Sequence, residues 1–324
     1  MADEGTKKRL GRLFADYLGM ALALIVLLAV FGLAAENFFT LTNFRTIANQ
    51  IPDAAIAAVG MTLVLLIAGI DLSVGSVLAL SSAVLGIALV SWGLPLVLAV
   101  AVCLLVGLAC GAANGLITIR WRLPSFIVTL GMLEAARGAA YFVTQSRTIY
   151  VGGPVEVITG AAVLGLSLPF ILAMAVVAAG QLVLARTVFG RYLIAIGTNE
   201  EAVRLSGIDP RPYKLAVFVL SGLLAAVAAV IQTARMSSAN PNTAVGFELQ
   251  VIAAVVIGGT SLMGGRGSVI NSFFGVLLIT VLGVGLAQVG AQEYTKRLIT
   301  GCVIVAAVIL DQYRHRLQRV SKVS

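Results

Sequence analysis

The feature that most constrains this chain is a set of long stretches without a single charged residue. The segments 94–119, 215–233 and 269–292 are the clearest. Roughly 20 consecutive apolar residues cross about 30 Å of hydrocarbon as a helix. Of the 324 residues, 60% are hydrophobic and 11% charged. A soluble domain carries about 25% charged residues, so a water-facing fold of this composition would be left with an apolar surface. A bilayer removes that conflict by acting as solvent for the outer face.

Ten apolar segments can be traced, at about 17–35, 47–69, 73–91, 94–119, 125–144, 168–185, 214–233, 247–263, 268–289 and 295–310. They predict an all-α polytopic membrane protein with about ten transmembrane helices, some broken at glycine-rich segments. The whole chain, 1–324, reads as a single transmembrane domain. The apolar run after Lys7, Lys8, Arg9 and Arg12 is long and lacks a small-residue cleavage site, so it reads as a retained first helix.

The net charge of +8 does not point to nucleic acid, because the basic residues are scattered through the connections between apolar runs. They fit the positive-inside rule instead. With a cytoplasmic N-terminus and ten spans, sixteen of the 22 Lys and Arg residues fall inside and six outside. Both basic termini are then cytoplasmic. Cys103, Cys110 and Cys302 lie in apolar runs and read as small packing residues. His315 sits in the basic tail and reads as a solvated side chain.

The polar stretch at about 187–213 lies on the cytoplasmic side in this topology. Within it, Thr198 and Glu201 have the spacing of a capping box. Glu200 and Glu201 suit the positive end of a helix dipole. Gly207 fits the left-handed position past the helix end, and Pro210 stops continuation. The pattern predicts a surface helix of about two turns. A helix that short is marginal in water and needs a surface to rest on.

This segment resembles the coupling loop of ATP-binding-cassette importer permeases, whose pattern is Glu-Ala-Ala, three variable residues, then Gly. Glu201, Ala202 and Gly207 match, and Val203 replaces the second Ala. Two further segments, 60–76 with its Ala-Gly-Ile-Asp-Leu-Ser core and 257–268 with Ile-Gly-Gly-Thr-Ser-Leu, resemble signatures of the ribose-type sugar permeases. The similarity runs from about residue 38 to 310.

The resemblance implies a permease subunit that imports a sugar, or a related polar solute, by alternating access in the bacterial cytoplasmic (inner) membrane. It implies a second permease chain, most simply an identical one. It also implies ABC ATPase subunits carrying ATP and Mg, an extracytoplasmic solute-binding protein, and surrounding membrane lipid. This chain would bind no cofactor. The coupling helix would use Thr198, Asn199, Glu200, Glu201, Ala202 and Gly207.

Polar residues near or inside the apolar runs are candidates for the pathway or its gates: Asp71, Ser73, Asn114, Glu134, Arg137, Gly258, Gly259 and Thr260. Asp71 also reads as the acceptor that starts the third span, or as a partner of Arg266. Glu134 and Arg137, three apart on one helix face, read as an internal pair or as part of the pathway. Gln181 stands alone in an apolar run, and Asn49, Gln50, Gln232 and Gln250 lie near span ends.

Two other classes compete. An ion-coupled secondary transporter needs titratable groups at the midplane, where Glu134 is the one candidate. A membrane enzyme needs a catalytic constellation, and none is visible. The chain has no Gly-x-x-x-x-Gly-Lys-Ser/Thr loop for a nucleotide phosphate, so under the importer reading ATP hydrolysis must come from another subunit.

Overall fold

The computed structural model describes residues 19–36, 38–160, 162–163, 166–303 and 305–306. The N-terminal cluster around Lys7, the basic tail with His315 and the last residues of the tenth apolar segment lie outside the described residues. α1 (Gly19–Ala34) leads to α2 (Leu41–Leu66), and a short break separates α2 from α3 (Val74–Val90). α4 (Leu96–Trp121) and α5 (Ser125–Thr144) follow. Strand β1 (Ile149–Tyr150), the short helix α6 (Gly153–Gly160) and strands β2 (Ala162–Val163) and β3 (Leu166–Ser167) come next. α7 (Leu168–Arg186), α8 (Val188–Thr198) and α9 (Glu200–Leu205) run almost end to end. α10 (Arg211–Met236), β4 (Ser238–Ala239), α11 (Phe247–Ile257), α12 (Val269–Gln288) and α13 (293–303) complete the described chain.

The protein is all-α and membrane-spanning, but the helices among the described residues number thirteen, not ten. Each predicted apolar segment carries a helix, and α6, α8 and α9 are additional. Among the described residues, six helices are long and apolar enough to cross a membrane: α2, α4, α5, α7, α10 and α12. The segment expected to span at 247–263 is helical only as far as Ile257. Eleven residues rise about 17 Å, roughly half the hydrocarbon thickness. Gly258-Gly259 ends the helix, with Gly259 at φ 85°. α8 escaped the sequence reading because its turns sit among charges. Its buried residues Gly190, Leu193 and Ile196 recur every third position, and Thr187 caps it by accepting from Gly190 N at 3.2 Å.

α2 is the axis of the molecule. Of its most apolar window 89% is buried, against 22% for α4 and for α5. A helix apolar all round and enclosed by protein differs from one whose outer face meets lipid. α10, α12 and α7 surround α2, and α3 packs on α5, α4 and α10. The most extensive helix contact is α4 against α10. A Cβ at Gly107 would fall on the Gly222 carbonyl, and one at Gly111 on that of Phe218. Small residues let membrane helices approach until dispersion contacts and backbone polarity stabilise the pair. β1 pairs antiparallel with β4, with Ile149 opposite Ala239. This ties the connection after α5 to the end of α10.

Candidate functional site

Two helices are interrupted inside the bundle, and polar side chains gather at both breaks. Irregular backbone at membrane depth persists only where protein supplies its hydrogen bonds. At the first break, between α2 and α3, α5 supplies them. Ser125 Oγ accepts from Ile70 N at 2.9 Å. Thr129 Oγ1 accepts from Leu72 N at 3.0 Å and donates to the Ile70 carbonyl at 3.1 Å.

Asp71 is 2% exposed and lies at the centre of this break. Its Oδ1 accepts from Ser73 N at 3.0 Å and from Ser73 Oγ at 2.6 Å. Its Oδ2 accepts from Ser221 Oγ of α10 at 2.8 Å. Asn114 Nδ2 of α4 donates to Ser73 Oγ at 2.9 Å. The α2–α3 break, α4 and α10 thus meet through Asp71, Ser73, Asn114 and Ser221, the last of which was not among the sequence candidates. The residue at the cap of α3 is Ser73, which makes no side-chain cap bond, and Asp71 serves the turn before it. The Asp71–Arg266 pair allowed by the sequence does not form. Hydroxyls, not a cation, satisfy the carboxylate. Asn114 Oδ1 and Thr118 Oγ1 are buried beside this cluster without a partner among the described residues.

The second break joins α11 to α12. Thr260 Oγ1 lies 3.3 Å from Ser272 Oγ, which accepts from Thr62 Oγ1 of α2 at 2.8 Å. A Cβ at Gly258 would strike the Asn271 carbonyl, so α11 and α12 fold tightly together there. Gln181 of α7, isolated in an apolar run, proves to be a cap delivered from another helix. Its Oε1 accepts from Val269 N at 3.0 Å, and from Ser268 Oγ and Ile270 N at 3.3 Å.

Both breaks touch the end of α8 through backbone. Gly265 N donates to the Leu66 carbonyl at 2.9 Å, closing the last turn of α2 onto the second break. A Cβ at Gly197 would fall on that same Leu66 carbonyl and on Gly265 N. One at Gly264 would stand 2.8 Å from Ala68 N and 2.9 Å from the Gly197 carbonyl. One at Gly265 would press on Thr198. Three glycines therefore let the end of α8, the end of α2 and the α11–α12 connection meet without side chains between them.

Two residues later comes α9, a six-residue helix. Its cap is Asn199, whose Oδ1 accepts from Ala202 N at 3.0 Å. The predicted Thr198–Glu201 capping box is not formed. Thr198 is still in α8 and donates to the Ile194 carbonyl at 2.7 Å. Glu201 reaches Arg204 at 3.3 Å, an exposed pair. Glu200 meets Lys214 at 3.0 Å. Gly207 has φ 86°, the left-handed turn the sequence required. Val203 is the buried residue of α9 and faces the protein, while Glu200, Glu201 and Ala202 face outward. A groove of about 620 Å³ runs beside α9, lined by Arg122, Glu200, Arg204, Asp209, Arg211 and Lys214 among others.

Glu134 and Arg137 do not pair. Glu134 is exposed. Arg137 Nη1 donates to the carbonyls of Pro241 and Thr243, both at 2.7 Å, and holds the loop between β4 and α11. A buried charged contact also escaped the sequence reading. Arg235 Nη2 lies 2.6 Å from Asp53 Oδ2, with Asp53 5% exposed at its side chain. The signal was present in a charge within an apolar run, but its partner is 182 residues away.

The family model described as branched-chain amino acid transport system / permease component matches residues 43–308. The chain is 40% identical over 319 residues to the ribose import permease protein of Haemophilus influenzae, covering 97% of this chain and 98% of that one. It is 41% identical over 304 residues to the ribose import permease protein of Escherichia coli K12, covering 90% and 92%. The L-arabinose ABC transporter permease protein of Azospirillum brasilense is 34% identical over 306 residues, covering 94% and 90%. No solved structure matches the chain.

Proposed function

Given that the chain belongs to the branched-chain amino acid transport system / permease component family, among its ribose-type ABC sugar permeases, we propose that it carries a monosaccharide inward by alternating access. It is a multi-pass inner-membrane transport subunit without an ATPase site of its own. The imported sugar is ribose or a close relative, by analogy with the names of its relatives. The chain acts as one permease domain with both termini in the cytoplasm. It works with a second copy, two ATPase subunits holding ATP and Mg, and an extracytoplasmic binding protein.

The observation that carries this reading is the position of α9. It is a capped helix with an exposed outer face, beside a charged groove and two residues from a backbone junction. That junction touches both interrupted helices. A force applied to α9 by an ATPase would reach Leu66 and Gly265 without passing through a flexible side chain. Asp71, Ser73 and Asn114 at one break, and Gly258, Gly259 and Thr260 at the other, are then the residues whose rearrangement opens one side. Arg137 holds the outer loop, and exposed Glu134 has no assigned contact in this scheme. An ion-coupled mechanism would leave α9 and its groove without a purpose.

The test is ATP-dependent uptake of labelled D-ribose, L-arabinose and D-allose into proteoliposomes holding the permease, its ATPase and its binding protein. Accumulation of at least one sugar, abolished when ATP is omitted, is expected. Assembly of a complex that accumulates none of them would contradict the proposal.

A further inference from the structure

We infer that the cavity between α2, α10, α11 and α12 is a binding site for a neutral monosaccharide on its way through the chain. This rests on the permease reading above and places the sugar within it. The cavity holds about 430 Å³, within the range of small-molecule sites. Gln50 and Asp53 of α2, Gln232 and Arg235 of α10, Gln250 of α11 and Thr280 of α12 line it.

Charge decides the class of ligand. The one acid and the one base in the lining already neutralise each other at 2.6 Å. Arg235 is further engaged, with Nη1 donating to the Asn49 carbonyl at 3.1 Å. An anion would find no spare cation here, and a cation no spare carboxylate. What remains is three carboxamides and a hydroxyl, which donate and accept with equal ease. That set suits a polyhydroxylated neutral molecule, whose hydroxyls also do both. Phe247 adds an apolar wall for the C–H face of a sugar ring. One carboxamide is already oriented, since Gln232 Oε1 accepts from Thr243 Oγ1 at 3.2 Å and its amide nitrogen is left to donate. An ion pair this buried in a membrane helix is costly unless it serves a pathway or a partner.

Position agrees. Asp53 lies thirteen residues before Leu66 on α2, about 20 Å along the helix axis from the coupling junction. The cavity and α9 therefore sit toward opposite ends of the same enclosed helix. Movement of α2 at Leu66 has a direct line to the sugar.

The experiment uses saturation-transfer NMR on the detergent-solubilised permease–ATPase complex without binding protein. The probe is whichever of D-ribose, L-arabinose or D-allose the wild-type complex transports. Wild type should transfer saturation to the sugar protons. Gln232→Ala and Gln250→Ala, which leave the ion pair in place, should each weaken binding about tenfold, as loss of one hydrogen bond to the sugar would. Uptake by the full importer should fall in parallel. Unchanged transfer in both variants, or no transfer from a wild-type complex that does transport the sugar, would overturn the site while leaving the permease reading intact. Loss of stimulation by the loaded binding protein with unchanged sugar transfer would also overturn it, by making these residues a docking surface. A wild-type complex that transports none of the three sugars would sink both readings.

Discussion

Asp71 shows how one side chain holds an interrupted helix together. It is buried and accepts three hydrogen bonds, from Ser73 N, Ser73 Oγ and Ser221 Oγ. Removing it orphans three buried donors. Each unsatisfied group costs about 1–3 kcal/mol, so Asp71→Ala should lower the melting temperature of the detergent-solubilised chain by several degrees. Asp71→Asn keeps the shape and one acceptor oxygen, and should lose less. Thermal unfolding followed by tryptophan fluorescence reads the difference, and equal melting temperatures for wild type and Asp71→Ala would show that the cluster does not hold the break. At this scale the sequence was readable only in part. Asp71 stands out as a charge after Gly69-Ile70, so its turn-forming role was accessible. Its partner Ser221 is 150 positions away, Asn114 bonds Ser73 from 41 positions away, and no local pattern announces either. The same holds for Asp53 and Arg235. In both cases a charge in an apolar run declares that a partner exists, while the fold decides which one.

Among the elements, α9 is the piece whose local rules were written most clearly in the chain. The acidic first turn, the left-handed Gly207 and the terminating Pro210 all lie where the sequence put them. The cap shifted by one residue, from Thr198 to Asn199, because α8 continues through Thr198 and spends its hydroxyl on Ile194. α8 itself was illegible, as an eleven-residue amphipathic helix between arginines looks like a charged loop. α11 was misjudged in length, since an apolar run continues past the glycines that end its helix. The cap gives a prediction. Asn199→Ala should cost α9 about 1 kcal/mol, and Glu201→Lys places a cation at the positive end of the dipole as well. Insertion should be unaffected, because no span changes. ATPase co-purification with the Glu201→Lys chain should fall severalfold. Wild-type co-purification and uptake at normal expression would mean that α9 is only a surface helix.

For the whole molecule, the sequence carried the membrane class and the family, through apolar runs and three short motifs, because hydropathy is summed over many residues and tolerates local error. It did not carry the arrangement in which α2 runs enclosed between α10, α12 and α7, for the α4–α10 glycine contacts and the Gly197 junction depend on which helices meet. Topology is the first consequence to check. Reporter fusions after Arg191 should report cytoplasm and one at Gly153 the outside, and a cytoplasmic signal at Gly153 would reverse the orientation. The central claim is that ATP-driven motion of α9 reaches both interrupted helices through backbone contact at Gly197. A single added methyl tests it, since a Cβ there would fall on the Leu66 carbonyl and on Gly265 N. The measurement is sugar accumulated per ATP hydrolysed by proteoliposomes containing the assembled importer with Gly197→Ala. If the junction transmits the motion, accumulation drops at least about tenfold, a loss of roughly 1.4 kcal/mol or more in coupling, while the ATPase stays bound and keeps hydrolysing. Sugar accumulated per ATP at the wild-type ratio, with normal expression and assembly, would contradict it.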